Sequence, residues 1–327
     1  MKLRVGIIGL GVMGKNHLRV LSQIPDVEVV GILDSRIDEE NDFDCKVPFF
    51  RDFTELISKK IDYAIVSVPT LFHFDLGMKL AIAGIPALIE KPLTGDFKTA
   101  KILVEAFEKN NVLAAVGHVE RFNPAIVSAR EQIDLVGQIR FVQTVRRGPS
   151  PLRVLDVGVT LDLASHDIDL VTWVTGQKYE EVFATKGRFS TRSQDDLLVA
   201  SGKLSGGATF LNIASWVHHD KERRVAIVGD KGTLVVDCLQ MELTYLGMPK
   251  ERVLWSNFQL LQGDTSGERI TFALKKREPL LIQHENFINL ILGEKFNNLA
   301  SLRDGLEVIR IISAIEDSST SGSIVSL

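Results

Sequence analysis

The sequence predicts an α/β protein with two domains: a doubly wound parallel sheet, then an α+β domain with a largely antiparallel open sheet. In the first third, short continuous apolar runs alternate with helical stretches, which is typical of parallel strands covered on both faces. Beyond about residue 120, longer runs alternate apolar with polar residues, as antiparallel strands do. The chain has 327 residues, enough for two cores, which we expect at 1–120 and 121–327.

The elements of the first domain follow one another in regular strand–helix order. The predicted strands are mainly apolar, and their regular alternation with helices is typical of a parallel sheet that is covered on both faces. We expect strands at 3–8, 27–33, 63–68, 87–89 and 112–116, and helices at 12–23, 54–58, 73–83 and 96–110.

In the second domain, glycine-containing turns separate the alternating runs. Two of these turns, Ser205-Gly-Gly207 and Gly229-Asp-Lys-Gly232, are typical of antiparallel hairpins. We expect helices at 124–135, 160–174, 280–292 and 302–318, and strands at 139–145, 181–189, 195–204, 207–216, 223–229 and 233–238. The serine-rich run from Ser318 to Ser323 is typical of a turn or a mobile tail.

The composition is that of a cytoplasmic globular protein. Hydrophobic residues make up 45% and charged residues 24% of the chain, and the formal net charge is −4, which does not favour binding to nucleic acid or to anionic membranes. Cys45 and Cys238 lie far apart, so we expect neither a disulfide framework nor a metal site. No apolar run reaches the roughly 18 residues that span a membrane, and we interpret Val5 to Gly14 as a buried strand and turn, not a signal peptide.

A glycine-rich turn follows the first predicted strand. Gly9-Leu-Gly-Val-Met-Gly14 is a GxGxxG that opens a helix, where backbone N–H groups can hold a pyrophosphate. Asp34 ends the second strand and can accept hydrogen bonds from the ribose hydroxyls, as in a Rossmann domain. Because Asp34 repels a 2′-phosphate, we predict NAD as the cofactor; Arg36 could reach that phosphate, so NADP is the alternative. The predicted cofactor contacts in this region are Gly9, Gly11, Val12, Met13, Gly14, Asp34, Ser35 and Arg36.

Three further segments lie at carboxyl ends of predicted parallel strands, where open α/β sheets bind ligands. They are Ser67-Val-Pro-Thr-Leu-Phe-His73, Glu90-Lys-Pro92 and Gly117-His-Val-Glu-Arg-Phe-Asn-Pro124. The predicted cofactor contacts here are Ser67, Pro69, Thr70, His73, Glu90 and Lys91, and the predicted substrate contacts are His118, Arg121 and Asn123. His73 is equally suited to capping the following helix. The Lys91–Pro92 bond is a candidate cis peptide.

Lys91, Asp162 and His166 are the candidate catalytic residues for oxidising an alcohol. That reaction needs a base for the hydroxyl proton while a hydride leaves for the nicotinamide. Lys91 can donate to the hydroxyl and favour the developing alkoxide. Asp162 and His166 are four residues apart, so an α-helix places both on one face, where the carboxylate can orient the imidazole.

The proton acceptor stays open between two of these residues. We favour His166, because the ordinary pKa of histidine is near neutrality, and Lys91 is the alternative. Asp169 lies on the same helix face and either contacts substrate or faces solvent.

Together these motifs resemble the Gfo/Idh/MocA family, the relatives of glucose–fructose oxidoreductase and inositol dehydrogenase. Glu90-Lys-Pro92 after a Rossmann strand is the most specific feature, and Asp162, His166 and Asp169 are similar to the family's D-x-x-x-H-x-x-D helix. Val228 to Leu234 and Ser301 to Leu306 fit its second domain, so the resemblance covers essentially the whole chain. It implies an NAD-dependent oxidoreductase that transfers a hydride from a sugar carbinol carbon, and a homo-oligomer formed through the C-terminal sheet.

A basic stretch before the predicted catalytic helix bears on the substrate. Arg146-Arg-Gly-Pro-Ser-Pro-Leu-Arg153 is predicted as a loop whose arginines meet an anionic group. Arg146 and Arg153 are therefore predicted substrate contacts, together with Lys91, Asp162 and His166. This stretch and Gly117 to Asn123 resemble the branch of the family that oxidises the 3-hydroxyl of UDP-N-acetylglucosamine. The alternatives are UDP-N-acetylglucosaminuronate, inositol or another sugar as substrate, and a non-catalytic NAD-binding regulator.

Overall fold

The computed structural model describes residues 2–35, 47–150, 157–191, 193–248, 267–295 and 297–327. These residues fall into two compact units. The first comprises the described parts of Met1–Phe122, Arg153–Ser165 and Arg277–Ser313, and the second those of Asn123–Leu152, His166–Lys276 and Ala314–Leu327. The division predicted between residues 120 and 121 lies close to the first junction. Two later stretches belong with the first unit, which no sequence pattern indicated.

The first unit contains a mostly parallel sheet. Its strands are β1 (Leu3–Ile8), β2 (Val27–Leu33), β3 (Phe49–Phe50), β4 (Tyr63–Val66), β5 (Ala87–Ile89), β6 (Ala114–Val116) and, late in the chain, β15 (Ala300–Ser301). Among the described residues their order is β15-β6-β5-β4-β1-β2-β3, and only β15 runs antiparallel to its neighbour. The order reverses at β1, so the loops after β1 and β4 diverge at the crevice where such sheets bind ligands. The predicted Rossmann sheet is confirmed.

Helices cover this sheet. They are α1 (Val12–Leu21), α2 (Phe53–Ser58), α3 (His73–Ala83), α4 (Phe97–Lys109), α7 (Pro279–Ile291) and the first part of α8 (Leu302–Ser321). Val5 and Ile7 of β1 share one core cluster with Tyr63 of β4 and with Phe287 and Ile288 of α7. Because most of these strands are buried on both faces, their side chains are mainly apolar. Helix α7 thus completes the core of the nucleotide-binding fold from far along the chain.

The second unit contains a largely antiparallel sheet, also as predicted. Its strands are β7 (Ile139–Pro149), β8 (Tyr179–Gly187), β9 (Leu197–Leu204), β10 (Thr209–Ser215), β11 (Val217–Gly229), β12 (Gly232–Asp237), β13 (Glu242–Gly247), β14 (Arg269–Thr271) and β16 (Val325–Ser326), and its helices include α5 (Pro124–Glu131) and α6 (Ser165–Thr175). In the described part the order is β14-β13-β12-β11-β7-β10-β9-β8-β16, and β7–β10 is the parallel pair. One sheet face is buried, whereas on the other Leu211 and Ile213 are half-exposed.

Several predicted elements differ from the structure in their bounds, and three of these differences change an interpretation made from the sequence. Strand β7 continues to Pro149, so the predicted loop at Arg146 and Arg147 is wrong. The helix that carries Asp162 begins as a π-helical turn, Thr160–Ala164, before α6. Helix α8 continues to Ser321, because Ser318 is fully buried, accepts a hydrogen bond from the Ala184 N–H and donates one to the Ser323 carbonyl. The serine-rich run is therefore mainly helical.

Candidate active site

The three glycines after β1 differ in what an added side chain would contact. Gly9 has a φ of +93°, and a Cβ there would lie 2.8 Å from backbone atoms of Ser67. A Cβ at Gly14 would lie 2.0 Å from the Gly9 carbonyl oxygen, so α1 can approach the turn only without a side chain. At Gly11, the N-cap of α1, a Cβ would meet nothing within 4 Å, and the backbone is open there. An open, positively polarised helix N-terminus fits a dinucleotide pyrophosphate.

Two side chains form hydrogen bonds with the backbone of this turn. The Ser67 hydroxyl donates to the Gly9 carbonyl over 2.8 Å. The Asp34 carboxylate accepts from the Leu10 N–H over 2.8 Å and is half-buried at the end of β2. Val12, at the helix start, is 53% exposed, and Ser35 is exposed. The predicted phosphate-discriminating Arg36 lies outside the described residues.

The loop after β4 is held by a histidine. Thr70–Phe72 forms a 3₁₀ turn, and His73 begins α3. Its buried ring nitrogens lie 2.8 Å from the Pro92 carbonyl oxygen and 2.9 Å from the Val68 carbonyl oxygen. Burial lowers the pKa of His73, and the carbonyls oppose that change without cancelling it. The imidazole therefore joins the loops after β4 and β5, a role that the sequence did not predict, and its contact with the cofactor stays a prediction.

The loop after β5 presents a charged pair. The Lys91–Pro92 peptide is cis, as predicted. The Lys91 ammonium donates to the Asp162 carboxylate Oδ1 over 2.8 Å and to the Asp162 carbonyl over 2.7 Å. The two side chains are only 14% and 12% exposed, so the pair lies mostly out of solvent. Two predicted catalytic residues, 71 positions apart, are thus in direct contact.

The π-helical turn changes the predicted geometry around Asp162. The one-face relation of Asp162 and His166 was based on α-helical spacing, but a π turn is wider, and such turns are frequent at functional sites. The hydrogen bonds of Asp162 described above go to Lys91. His166 follows on α6 and is half-buried, and Asp169 is only 1% exposed, so the predicted solvent-facing alternative for Asp169 is wrong.

The predicted substrate contacts after β6 are largely buried. His118 is 1% exposed. Arg121 donates to the Leu299 carbonyl and to the Asp304 carboxylate, each over 3.4 Å. Asn123 caps α5 by accepting from the Ala125 N–H, and its amide donates to the Cys238 carbonyl. Arg121 and Asn123 therefore each have a structural role within their own unit.

The basic stretch is neutralised by acidic partners. Arg146 is 3% exposed, and its Nε donates to Asp167 over 2.7 Å. Arg147 forms ion pairs with Asp220 and Glu222 at 3.1 and 2.6 Å. The predicted anion-binding site requires arginines in a loop whose charges are available to a ligand. The acidic partners described above already neutralise Arg146 and Arg147, so these two residues no longer support that prediction. Arg153 lies outside the described residues.

Two buried histidines were absent from the sequence prediction. Nδ1 of His17 lies 2.8 Å from Nε2 of His284, and Nε2 of His17 lies 3.1 Å from Oε1 of Glu90. His17 stands three residues after Gly14, on the inward face of α1, which is a signal that could have been noticed. Nothing in the sequence connects His284 with it.

Among the residues that the structure describes, no group of three or more His, Cys, Asp or Glu side chains could hold a metal ion. No helix within the described ranges has the length and apolar character needed to cross a membrane.

Comparison with known proteins gives the chain its relatives. The profile "Oxidoreductase family, NAD-binding Rossmann fold" of the GFO_IDH_MocA type matches residues 3–118, and the corresponding "C-terminal alpha/beta domain" matches residues 145–327. The UDP-N-acetylglucosamine 3-dehydrogenase of Acidithiobacillus ferrooxidans is 26% identical over 295 residues, 90% of each chain. The myo-inositol 2-dehydrogenase of Thermotoga maritima is 26% identical over 311 residues, 89% of each chain.

Solved structures of dehydrogenases share the fold of this chain. The Acidithiobacillus enzyme GnnA superposes with a TM-score of 0.85 at 25% identity, covering 98% of both chains. Levoglucosan dehydrogenase, solved with NADH and levoglucosan, shares the fold with a TM-score of 0.85 at 20% identity, covering 100% of this chain and 99% of its own. The chain is an NAD(P)-dependent dehydrogenase that acts on CH–OH groups, with an NAD-binding Rossmann domain. It belongs to the Gfo/Idh/MocA family of oxidoreductases.

Proposed function

We propose that the chain oxidises a secondary hydroxyl of a sugar, and specifically the 3-hydroxyl of UDP-N-acetylglucosamine. The Lys91–Asp162 pair carries the catalytic part of this proposal, because it fixes an ammonium group at the carboxyl end of a parallel strand. The match over 90% of both chains to a UDP-N-acetylglucosamine 3-dehydrogenase supports the substrate.

The residues divide the work as follows. The glycine turn, Asp34 and the loops after β4 and β5 would hold the dinucleotide, which would supply the acceptor for the hydride. The Lys91 ammonium donates to the substrate oxygen and stabilises negative charge on it as the proton leaves. Asp162 fixes the direction of the lysine side chain. His166 takes the hydroxyl proton, with Lys91 as the alternative acceptor.

A polyol such as myo-inositol is the second candidate substrate. It is favoured by the ion pairs of Arg146 and Arg147, which neutralise the predicted anion-binding cluster. The match to a myo-inositol 2-dehydrogenase has the same identity as the match to the nucleotide-sugar enzyme. UDP-N-acetylglucosaminuronate is a third candidate, whereas a non-catalytic NAD-binding regulator would have no use for the Lys91–Asp162 pair.

A substrate panel decides between these candidates. The purified chain is incubated with NAD⁺ and, separately, UDP-N-acetylglucosamine, UDP-N-acetylglucosaminuronate or myo-inositol, while reduced nicotinamide is followed by absorbance. We expect the highest kcat/KM with UDP-N-acetylglucosamine and competitive inhibition by UDP alone. Turnover of myo-inositol without inhibition by UDP would contradict the nucleotide-sugar proposal and leave the dehydrogenase assignment intact.

We also propose a homo-oligomer formed through the sheet of the second unit. Apolar side chains on the open face of that sheet support it, including Phe183, Val199 and Leu246, which are between 37% and 41% exposed. Large apolar surfaces on soluble proteins commonly mark contacts with a partner.

A further inference from the structure

Three buried side chains of the first unit form a hydrogen-bonded line. His284 from α7 contacts His17 from α1, and His17 contacts the carboxylate of Glu90 after β5, over the distances given above. The second carboxylate oxygen of Glu90 accepts from the Lys91 backbone N–H over 3.2 Å. Both histidines are 0% exposed and Glu90 is 6% exposed. The line therefore begins in the core and ends at the backbone of the residue that carries the ammonium group.

The contacts fix where the protons are. An ionised carboxylate can only accept, so Nε2 of His17 carries the proton that it shares with Glu90. If Nδ1 of His17 also carried a proton, neutral His284 would accept it at Nε2 and hold its own proton at Nδ1. That atom has no hydrogen-bond partner among the described residues, and a buried N–H without an acceptor is costly. The line is therefore directed from His284 Nε2–H to His17 Nδ1, and from His17 Nε2–H to Glu90.

Glu90 has little freedom apart from this line. A Cβ at Gly117 would lie 2.7 Å from Oε1 of Glu90, so the carboxylate is packed against backbone on that side. Burial alone would raise the pKa of Glu90. The hydrogen bond from His17 and the positive charge of Lys91 act against burial, and the pKa of Glu90 is lowered overall, so the group is ionised. A buried carboxylate of this kind keeps one orientation as long as its donors stay in place.

We propose that His17 and His284 are positioning residues of the dehydrogenase reaction, which act by holding Glu90 and, through it, the backbone of Lys91. The proposal rests on the role given to Lys91 under Proposed function, but not on the identity of the sugar. Displacing a catalytic group by about 1 Å can cost as much as 10²-fold in rate, so a buried line that fixes its backbone matters for turnover.

Substitutions at His17 separate positioning from packing. We expect His17→Leu to lower kcat by about tenfold or more with a small change in KM, and His17→Gln, which keeps a donor towards Glu90, to restore most of the loss. Because His17 acts through Glu90, Glu90→Gln/His17→Leu should be no slower than Glu90→Gln alone. Phe287→Leu on α7 is the matched control, with a lower melting temperature and unchanged kcat. Equal kcat losses for His17→Leu and His17→Gln, or multiplied losses in the double variant, would overturn the proposal.

A measurement on the wild-type protein needs no substrate, and variants serve only to assign its signals. The ¹⁵N shifts of the imidazoles, assigned with His17→Gln and His284→Gln, should show Nε2–H and bare Nδ1 in both residues at neutral pH, with and without NAD⁺. A protonated Nδ1 on His17 would contradict the directed line. Since no sugar is present, this result stands whether or not UDP-N-acetylglucosamine is the substrate.

Discussion

Among single residues, Lys91 is the one whose side chain we expect to meet the reacting hydroxyl. Removing its ammonium group in Lys91→Met leaves the alkoxide without its donor, and we expect kcat to fall by about 10²-fold or more. Asp162→Asn keeps an acceptor for Lys91 but loses the ion pair, so its loss should be smaller. Steady-state kinetics with the preferred sugar measures both. The exposed Lys101→Ala is the control, and near-normal kcat in folded Lys91→Met would remove Lys91 from the mechanism.

Asp34 links cofactor choice to the shape of the glycine turn. Its carboxylate holds the Leu10 N–H, so Asp34→Ala loses the ribose acceptor and loosens the turn. We expect NAD affinity to fall by about 10- to 10²-fold, as for loss of a charged hydrogen bond, and NADP affinity to fall less. Titration of both cofactors tests this, with the exposed Asp26→Ala as control. Wild-type protein that prefers NADP would show that Asp34 does not set the choice.

The buried His284 makes the stability of the folded protein depend on pH. Burial holds the pKa of His284 well below its ordinary value, so below about pH 6.5 the unfolded chain binds a proton that the folded chain does not. This residue therefore destabilises the fold as pH falls. In His284→Gln the unfolding free energy should fall less steeply over that range, by up to about 1.4 kcal/mol per pH unit. Urea titrations at several pH values give the slopes, and equal slopes would mean that His284 is charged in the folded state.

At the scale of elements, a buried ion pair joins strand β7 to helix α6. Arg146 and Asp167 are 3% and 2% exposed, so removing one partner leaves an uncompensated charge in the core. We expect Arg146→Met to cost about 3–5 kcal/mol of unfolding free energy in urea, and Arg146→Met/Asp167→Leu to recover most of it. Arg303→Met, which breaks a surface pair with Glu108, should cost less than about 1 kcal/mol. A stable Arg146→Met with a raised KM would restore Arg146 as a substrate contact.

The same pair explains where the sequence failed to predict an element. Strands β1, β2 and β5 have the bounds predicted for them, because short, mainly apolar runs that end at glycine or a polar residue have few other interpretations. The sequence predicted the end of β7 four residues too early. Arg146 counts as polar in the two-residue alternation of a strand, and it is buried only because it pairs with the buried Asp167. The end of α8 was mispredicted for a similar reason, because the polar hydroxyl of Ser318 is buried and hydrogen-bonded to Ala184 on β8 and to Ser323 beyond the helix.

Much of the candidate site was also predictable, but only as separate segments. A glycine turn, an acidic strand end and a Glu-Lys-Pro segment are local patterns with local physical reasons. The contact between Lys91 and Asp162 depends on a π-helical turn, which leaves no clear period in the sequence. The pairing of His17 with His284 joins residues 267 positions apart, and neither residue reveals its partner.

At the scale of the whole molecule, the open face of the second sheet carries a group of apolar side chains near its centre. Leu211 lies beside Gln143 in the register of β10 and β7, and Ile213 lies beside Val145 and Val199 on either side. All of these side chains are half-exposed or exposed. The exposed face of a sheet can pack against the same face of a second copy across a two-fold axis, which is the commonest symmetry of soluble oligomers.

Placing a lysine at the centre of this face should separate the copies. In Ile213→Lys the same charge would be introduced on both sides of a two-fold contact, and burying it without a partner is unfavourable. We expect wild-type protein to show a multiple of the chain mass by light scattering, and Ile213→Lys to show a monomer with an intact fold by circular dichroism. Ile82→Lys on α3, where the isoleucine is 72% exposed, should leave the assembly unchanged. A monomeric wild type, or an oligomer that survives Ile213→Lys, would move the interface away from this sheet.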